Sequence, residues 1–127
     1  MKITNHKKSI EIKYCNSFFD RLKGFMFTRN IDRCLCFPKC NSIHTIFMLK
    51  PIDVIMTDKN YKILYIFKNV KPYRIILPKK NIYYTFEFPI NTVEFKTNKK
   101  IKVTKWLLFF IIDNFIYLKY HGQQLIQ

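Results

Sequence analysis

Ile10, Ile12 and Tyr14 alternate with Glu11 and Lys13, the two-residue period of an amphipathic strand. The next nine residues, 16–24, have helix grammar instead. Asn16 or Ser17 can cap, Asp20 falls in the first turn, and Gly24 supplies the left-handed stop. Phe18, Phe19 and Leu22 are expected to share the buried face of that short helix.

Beyond the helix the chain reads as strands, over 34–37, 43–48, 52–57, 62–67, 73–77, 82–88 and 101–110. Turn formers separate them: Pro38, Lys50-Pro51, Lys71-Pro72, Pro78 and Pro89-Ile90-Asn91. Asp58-Lys59-Asn60, between two alternating runs, predicts a hairpin loop. Many short strands and one short helix near the N-terminus predict an all-β fold, a jelly-roll-like sandwich or an open barrel. The expectation is one domain over 1–105. Residues 106–127 form either a final apolar hairpin turning at Asp113-Asn114 or a packed tail. Used instead as an exposed extension, 106–118 would serve in homodimerisation or membrane contact.

Composition narrows the function classes. With only two glycines, Gly24 and Gly122, neither the dinucleotide fingerprint nor the phosphate-binding P-loop can be drawn on the chain. No cofactor is expected. The net charge of +15 invites a nucleic-acid reading. Yet residues 1–60 carry 11 basic and 5 acidic groups and residues 61–127 carry 12 and 3, so no basic arm is segregated. Lysine also far outnumbers arginine, the residue suited to bidentate phosphate recognition. Charge on a solvated surface is the simpler reading. Tyr61, Tyr65, Tyr73, Tyr83 and Tyr84, interleaved with lysines, remain the alternative as a basic nucleic-acid platform.

The N-terminus lacks the apolar core of a secretory signal, and 106–118 falls short of the ~20 residues that span a bilayer. A cytoplasmic protein without a transmembrane span is expected, with Cys15, Cys34, Cys36 and Cys40 reduced.

The candidate chemistry lies in polar residues that interrupt apolar strands. His44, Thr45, Asp53 and Glu87 are such intrusions, and buried polar groups must find partners. A histidine with one or two carboxylates can bind a metal, hold a sugar's hydroxyls or move protons. The structural alternative has Asp53 capping amides at the Lys50-Pro51 turn, His44 bonding a carbonyl and Glu87 pairing with a lysine. Cys34, Cys36, Cys40 and His44 contain ligand types that suit zinc, although their spacing is not that of a standard two-knuckle site. A catalytic Cys40–His44 pair would stand about 13 Å apart along a strand, too far for proton transfer unless a bulge or turn intervenes.

Three blocks together identify a resemblance. Arg21-Leu22-Lys23-Gly24-Phe25-Met26 is similar to a helix-stop block, R-x-x-G-L-M. Residues 41–54 match N-S-I-H-T-x-F-M-x-x-P-I-D-V, and Phe86-Glu87-Phe88-Pro89-Ile90-Asn91-Thr92 is similar to L-E-L-P-A-G-T. In this order and spacing they resemble the bacterial and archaeal family called domain of unknown function 192, over residues of about 10–105. The resemblance implies a β-rich domain of jelly-roll or sandwich type and carries no established enzyme activity. Asn91 stands where the family has glycine, an exchange that suits a left-handed backbone. The family's late Gly-Asp turn is replaced near Asn98-Lys99-Lys100.

The leading expectation is a non-enzymatic module that is structural or binds a small ligand, carbohydrate included, near His44, Asp53 and Glu87. The alternatives are a metal-dependent or carbohydrate-active enzyme using the same three residues, and the nucleic-acid platform.

Overall fold

The structure, a computed structural model, describes residues 2–5, 8–92 and 94–104. Among these residues nine strands and one helix follow in order: β1 (Lys2–Asn5), β2 (Lys8–Tyr14), α1 (Phe18–Lys23), β3 (Cys34–Pro38), β4 (Ile43–His44), β5 (Ile52–Thr57), β6 (Ile63–Val70), β7 (Ile75–Ile76), β8 (Tyr84–Pro89) and β9 (Val103–Thr104). The fold is all-β, as the strand pattern predicts.

Seven strands form one sheet in the order β6-β5-β8-β3-β2-β1-β9, and β4 pairs with β7 in a small second sheet. All pairings are antiparallel except β2 with β3, which run parallel because the α1 segment carries the chain back between them. The two edges of the large sheet are tied by one segment. Val103 pairs with Ile3 of β1, while Asn98, Lys99 and Ile101 exchange backbone hydrogen bonds with Tyr61 and Ile63 at the start of β6. This strip links the two ends of the sheet and curls it into an open barrel, covering the start of the β6 edge.

Strand alternation then sorts the apolar residues into two cores. Cys34, Cys36, Ile55, Phe86 and Phe88 point inside the barrel with Ile3, Ile63 and Ile101. Leu35, Phe37, Val54 and Met56 point outward and pack with Phe25 from the turn after α1, Met48 from the loop after β4 and Ile76 from β7. Glu87 and His44 lie on this outer side.

Local expectations hold where short-range chemistry decides. Ser17 Oγ accepts the Asp20 N–H at 3.1 Å, and the Gly24 N–H donates to the Asp20 carbonyl, so cap and stop bound α1. Asp58 Oδ1 accepts the N–H groups of Asn60 at 2.8 Å and Lys62 at 2.9 Å, which closes the predicted hairpin loop.

Four expectations need correction. Phe18, Phe19 and Leu22 do not form a buried face: they are 73%, 79% and 51% exposed. Phe25, just beyond the Gly24 turn, covers the sheet in their place. The strand expected over 43–48 stops at His44, because Phe47 adopts a positive φ of 60° and the Met48 N–H turns back to the Thr45 carbonyl. The strand expected over 73–77 shrinks to Ile75–Ile76, since Tyr73 also has positive φ. At the N-terminus, β1 is an additional strand. The expected 101–110 strand is represented by Val103–Thr104, and the remainder, with the apolar tail and its homodimer, lies outside the described residues.

Candidate functional site

Glu87 comes from the middle of β8, flanked across the ladder by Leu35 of β3 and Val54 of β5. That register aims its side chain outward into the second core, where it is 3% exposed. Its Oε2 is the buried side-chain oxygen without a hydrogen-bond partner among the described residues. Burial pushes the Glu87 carboxyl up to about 8, because ionisation there would leave a charge without hydrating water.

The α1 segment roofs this carboxyl. Gly24 turns with φ +47°, and a Cβ there would lie 3.4 Å from Glu87 Oε2 and 3.6 Å from the Phe37 ring. Arg21 fastens the roof by donating to the carbonyls of Pro38 at 2.6 Å and Lys39 at 3.3 Å. These contacts give physical content to the R-x-x-G spacing. Arginine ties the helix down, and three residues later glycine lets the chain pass close over the carboxyl.

Between roof and sheet lies a cavity of about 250 Å³. Glu87 is at its base, with Gly24, Cys40, Ser42 and His44 among the polar lining and Phe25, Phe37 and Met48 among the apolar lining. Lys23 and Arg21 also line it, the only groups in the lining that carry fixed positive charge. Cys40 is positioned by two bonds to β8 and its approach, the Cys40 N–H donating to the Tyr83 carbonyl and Thr85 Oγ1 donating to the Cys40 carbonyl. The Cys40 thiol donates to the Ser42 carbonyl at 3.0 Å. His44 Nδ1 accepts the Ile46 N–H at 3.2 Å, which leaves Nε2 to carry the proton of the neutral ring.

The four sequence-derived candidates therefore part company. His44 and Glu87 line one cavity. Asp53 does not join them: Val54 is the β5 residue opposite Glu87, so Asp53 faces the other side of the sheet. There Asp53 accepts the N–H groups of Asn69 at 2.8 Å and Asn91 at 3.1 Å and meets Lys68 Nζ at 3.3 Å. It caps amides, although not those of the Lys50-Pro51 turn. Both capped asparagines have positive φ, 53° and 59°, so the left-handed backbone that Asn91 suits is present. Thr45 is buried too; its hydroxyl donates to the Lys71 carbonyl at 2.7 Å and accepts the Arg74 N–H at 2.8 Å.

Cys34 and Cys36 point into the barrel, whereas Cys40 packs against the outer core, so the four suggested zinc ligands do not converge. Among the described residues no three His, Cys, Asp or Glu side chains gather as a metal site. The tyrosines form separate groups rather than one row. Tyr61 stacks on Tyr84 at 4.6 Å, Tyr65 on Phe67 at 6.3 Å, and Tyr73 meets Phe47 at 6.0 Å. No helix among the described residues is long and apolar enough to cross a membrane.

Arg21, Gly24 and Ser42 were not among the sequence candidates; Cys40 was, as a zinc ligand or partner of His44, and it shares the cavity lining with His44. The signal for the first two was present in the helix-stop block, whose spacing has meaning only once β8 is seen beneath it.

Barrel and cavity together define a small all-β protein that keeps a protonatable carboxyl at the base of an outer-layer pocket. The chain belongs to the family described as "Uncharacterized ACR", domain of unknown function 192, whose model matches residues 1–103. It is 33% identical over 90 residues to a UPF0127 protein of Thermococcus sibiricus, covering 66% of this chain and 58% of that protein. To a UPF0127 protein of Pyrococcus abyssi it is 35% identical over 98 residues, 69% of this chain and 82% of that one. The chain thus spans under three fifths of the length of the Thermococcus sibiricus relative. A crystal structure of a protein of unknown function from Novosphingobium aromaticivorans shares the fold with a TM-score of 0.68 at 15% identity, covering 80% of this chain and 82% of that one. A structure from Sinorhizobium meliloti gives 0.67 at 16% identity, with 80% and 89% covered.

Proposed function

We propose that the protein is a non-enzymatic binding module whose cavity takes a small, neutral, hydroxyl-rich molecule of the carbohydrate type. The observation that carries this reading is the partnerless Oε2 of buried Glu87 at the base of the cavity. An orphaned buried polar atom costs about 1–3 kcal/mol, and a ligand group that bonds it recovers that cost.

The chemistry of the lining selects the class of ligand. With its carboxyl pushed up to about 8, Glu87 is mostly protonated at neutral pH. It then presents one O–H donor beside acceptor oxygen, the pairing that a ligand hydroxyl matches in both directions. Lys23 and Arg21 in the lining disfavour a cation. His44 and Ser42 add polar contacts, and Phe25 and Phe37 offer apolar surface to a ring's C–H face. A volume of about 250 Å³ suits a ligand below the ~300–1,000 Å³ of drug-sized pockets.

The enzyme alternative draws on His44, Asp53 and Glu87 acting together. A glycosidase needs two carboxyls flanking one bond. Asp53 and Glu87 lie on opposite faces of the sheet, which favours binding over hydrolysis.

Saturation-transfer NMR against monosaccharides, disaccharides and polyols tests the reading. At least one should bind the wild type and lose its signal with Glu87→Leu. A panel with no member binding below about 10 mM would overturn the proposal.

A further inference from the structure

A second feature lies outside the cavity, where α1 and three loops expose an apolar band. Phe18 and Phe19 meet edge to face at 5.7 Å. Phe19, Leu22 and Phe27 border one shallow hollow that Lys23 also lines. Phe27 stacks on Phe47 at 5.5 Å, and Phe47 meets Tyr73 at 6.0 Å. All six of these apolar side chains are 46% to 79% exposed.

The backbone holds the far end of this band in an unfavourable conformation. Phe27, Phe47 and Tyr73 have φ of 58°, 60° and 59°, a region bulky residues rarely adopt. The Phe27 N–H donates to the Phe47 carbonyl at 3.0 Å and the Tyr73 N–H to the Thr45 carbonyl at 2.9 Å, so the three loops are locked together. Three strained aromatic residues that end exposed to water gain little for folding.

We propose that this band is a docking surface for an anionic lipid bilayer. Charge complementarity selects that occupant. Besides Arg21, which is tied to the Pro38 and Lys39 carbonyls, the stretches 18–29, 47–50 and 71–74, which carry the band, contain Lys23, Arg29, Lys50, Lys71 and Arg74 against one acid, Asp20. That acid is already paired with Lys13 at 3.3 Å. An apolar centre with basic flanks is the pattern that seats a protein at a headgroup layer: rings and leucine enter the acyl boundary while lysine and arginine meet lipid phosphates. Leu22 and the exposed Leu49 extend the band with aliphatic surface, which suits acyl chains better than nucleotide bases.

Co-sedimentation of the full chain with vesicles tests this, comparing phosphatidylcholine alone with phosphatidylcholine containing phosphatidylglycerol. The informative variant is Phe27→Asn/Phe47→Asn, because asparagine tolerates positive φ and should leave stability equal or higher. The wild type should bind the anionic vesicles and bind phosphatidylcholine far more weakly. The double variant should lose about tenfold in partitioning, and Lys50→Glu should weaken binding to anionic vesicles alone. Equal binding to both vesicles, equal binding by the double variant, or no binding would overturn the proposal. A dimer that the double variant dissociates would assign the band to a second copy instead. Single-stranded nucleic acid held at physiological salt and lost in the variant would assign it to that polymer.

Discussion

Gly24 stands over Glu87 so closely that a methyl group on the glycine would lie 3.4 Å from the carboxyl oxygen. One residue without a side chain thereby covers one carboxyl oxygen without a partner. The helix-stop block and the β8 block, distant in sequence, meet in this contact.

Gly24→Ala should therefore destabilise the protein. Its φ of +47° is strained for alanine, and the added carbon would lie in van der Waals contact with Glu87 Oε2 and the Phe37 ring, taking up space beside the carboxyl. A loss of about 1–3 kcal/mol is expected, read from urea unfolding, together with weaker ligand binding. Unchanged stability would show that the turn relaxes freely.

Glu87 should give stability a characteristic pH dependence. Its folded value, about 8, lies above the ordinary 4.5, so between those values the native state binds more protons than the unfolded chain. The contribution is fully present below about 4.5 and is lost as pH rises through about 8. Unfolding free energies should fall across that window by an amount on the order of a few kcal/mol, and Glu87→Gln should remove that part of the slope. A wild-type and Glu87→Gln pair with parallel profiles would contradict the assignment.

Asp53→Ala should behave as a purely structural lesion. It strips the acceptor from the Asn69 and Asn91 amides and leaves Lys68 without its carboxylate contact, at a cost of about 2–4 kcal/mol. Ligand affinity of the folded fraction should stay unchanged, because the residue lies on the other face of the sheet. Calorimetric unfolding and a binding titration on the same sample separate the two effects.

Thr45→Val removes a hydroxyl that bonds both the Lys71 carbonyl and the Arg74 amide. A loss of about 1–3 kcal/mol is expected, with faster amide exchange at Arg74. Exchange that is unchanged at Arg74 would show that this bond does not hold the loop.

What could be read from the sequence follows the range of the interactions. Ser17, Asp20 and Gly24 bound α1 through contacts within one turn, and Asp58 closes its hairpin through its own neighbours. These elements are legible without the rest of the chain. The closing of the barrel is not, since it depends on 98–104 reaching both Tyr61 and Ile3. The alternation over 43–48 looked like a strand because polarity alternates there. Phe47 and its positive φ end that pattern, and no composition signal marks it.

Site residues show the same division. His44, Thr45, Asp53 and Glu87 share one signature, a polar group among apolar neighbours, and the sequence treats them alike. Only the register of β5 against β8 sends Asp53 and Glu87 to opposite faces. Only the partners on each face distinguish a satisfied carboxylate from an orphaned one. The amphipathic pattern of α1 likewise groups Phe18, Phe19 and Leu22 correctly but does not reveal that Phe25 already covers the sheet.

The central claim is that Glu87 is kept in its buried pocket for a ligand and not for the fold. Its most direct test is the unfolding free energy of Glu87→Leu at neutral pH. Replacing a partnerless buried carboxyl by an apolar side chain of similar size should raise stability by about 1 kcal/mol or more. A loss of stability on the order of 1 kcal/mol or more would contradict the account, because it would mean that the carboxyl holds the structure together.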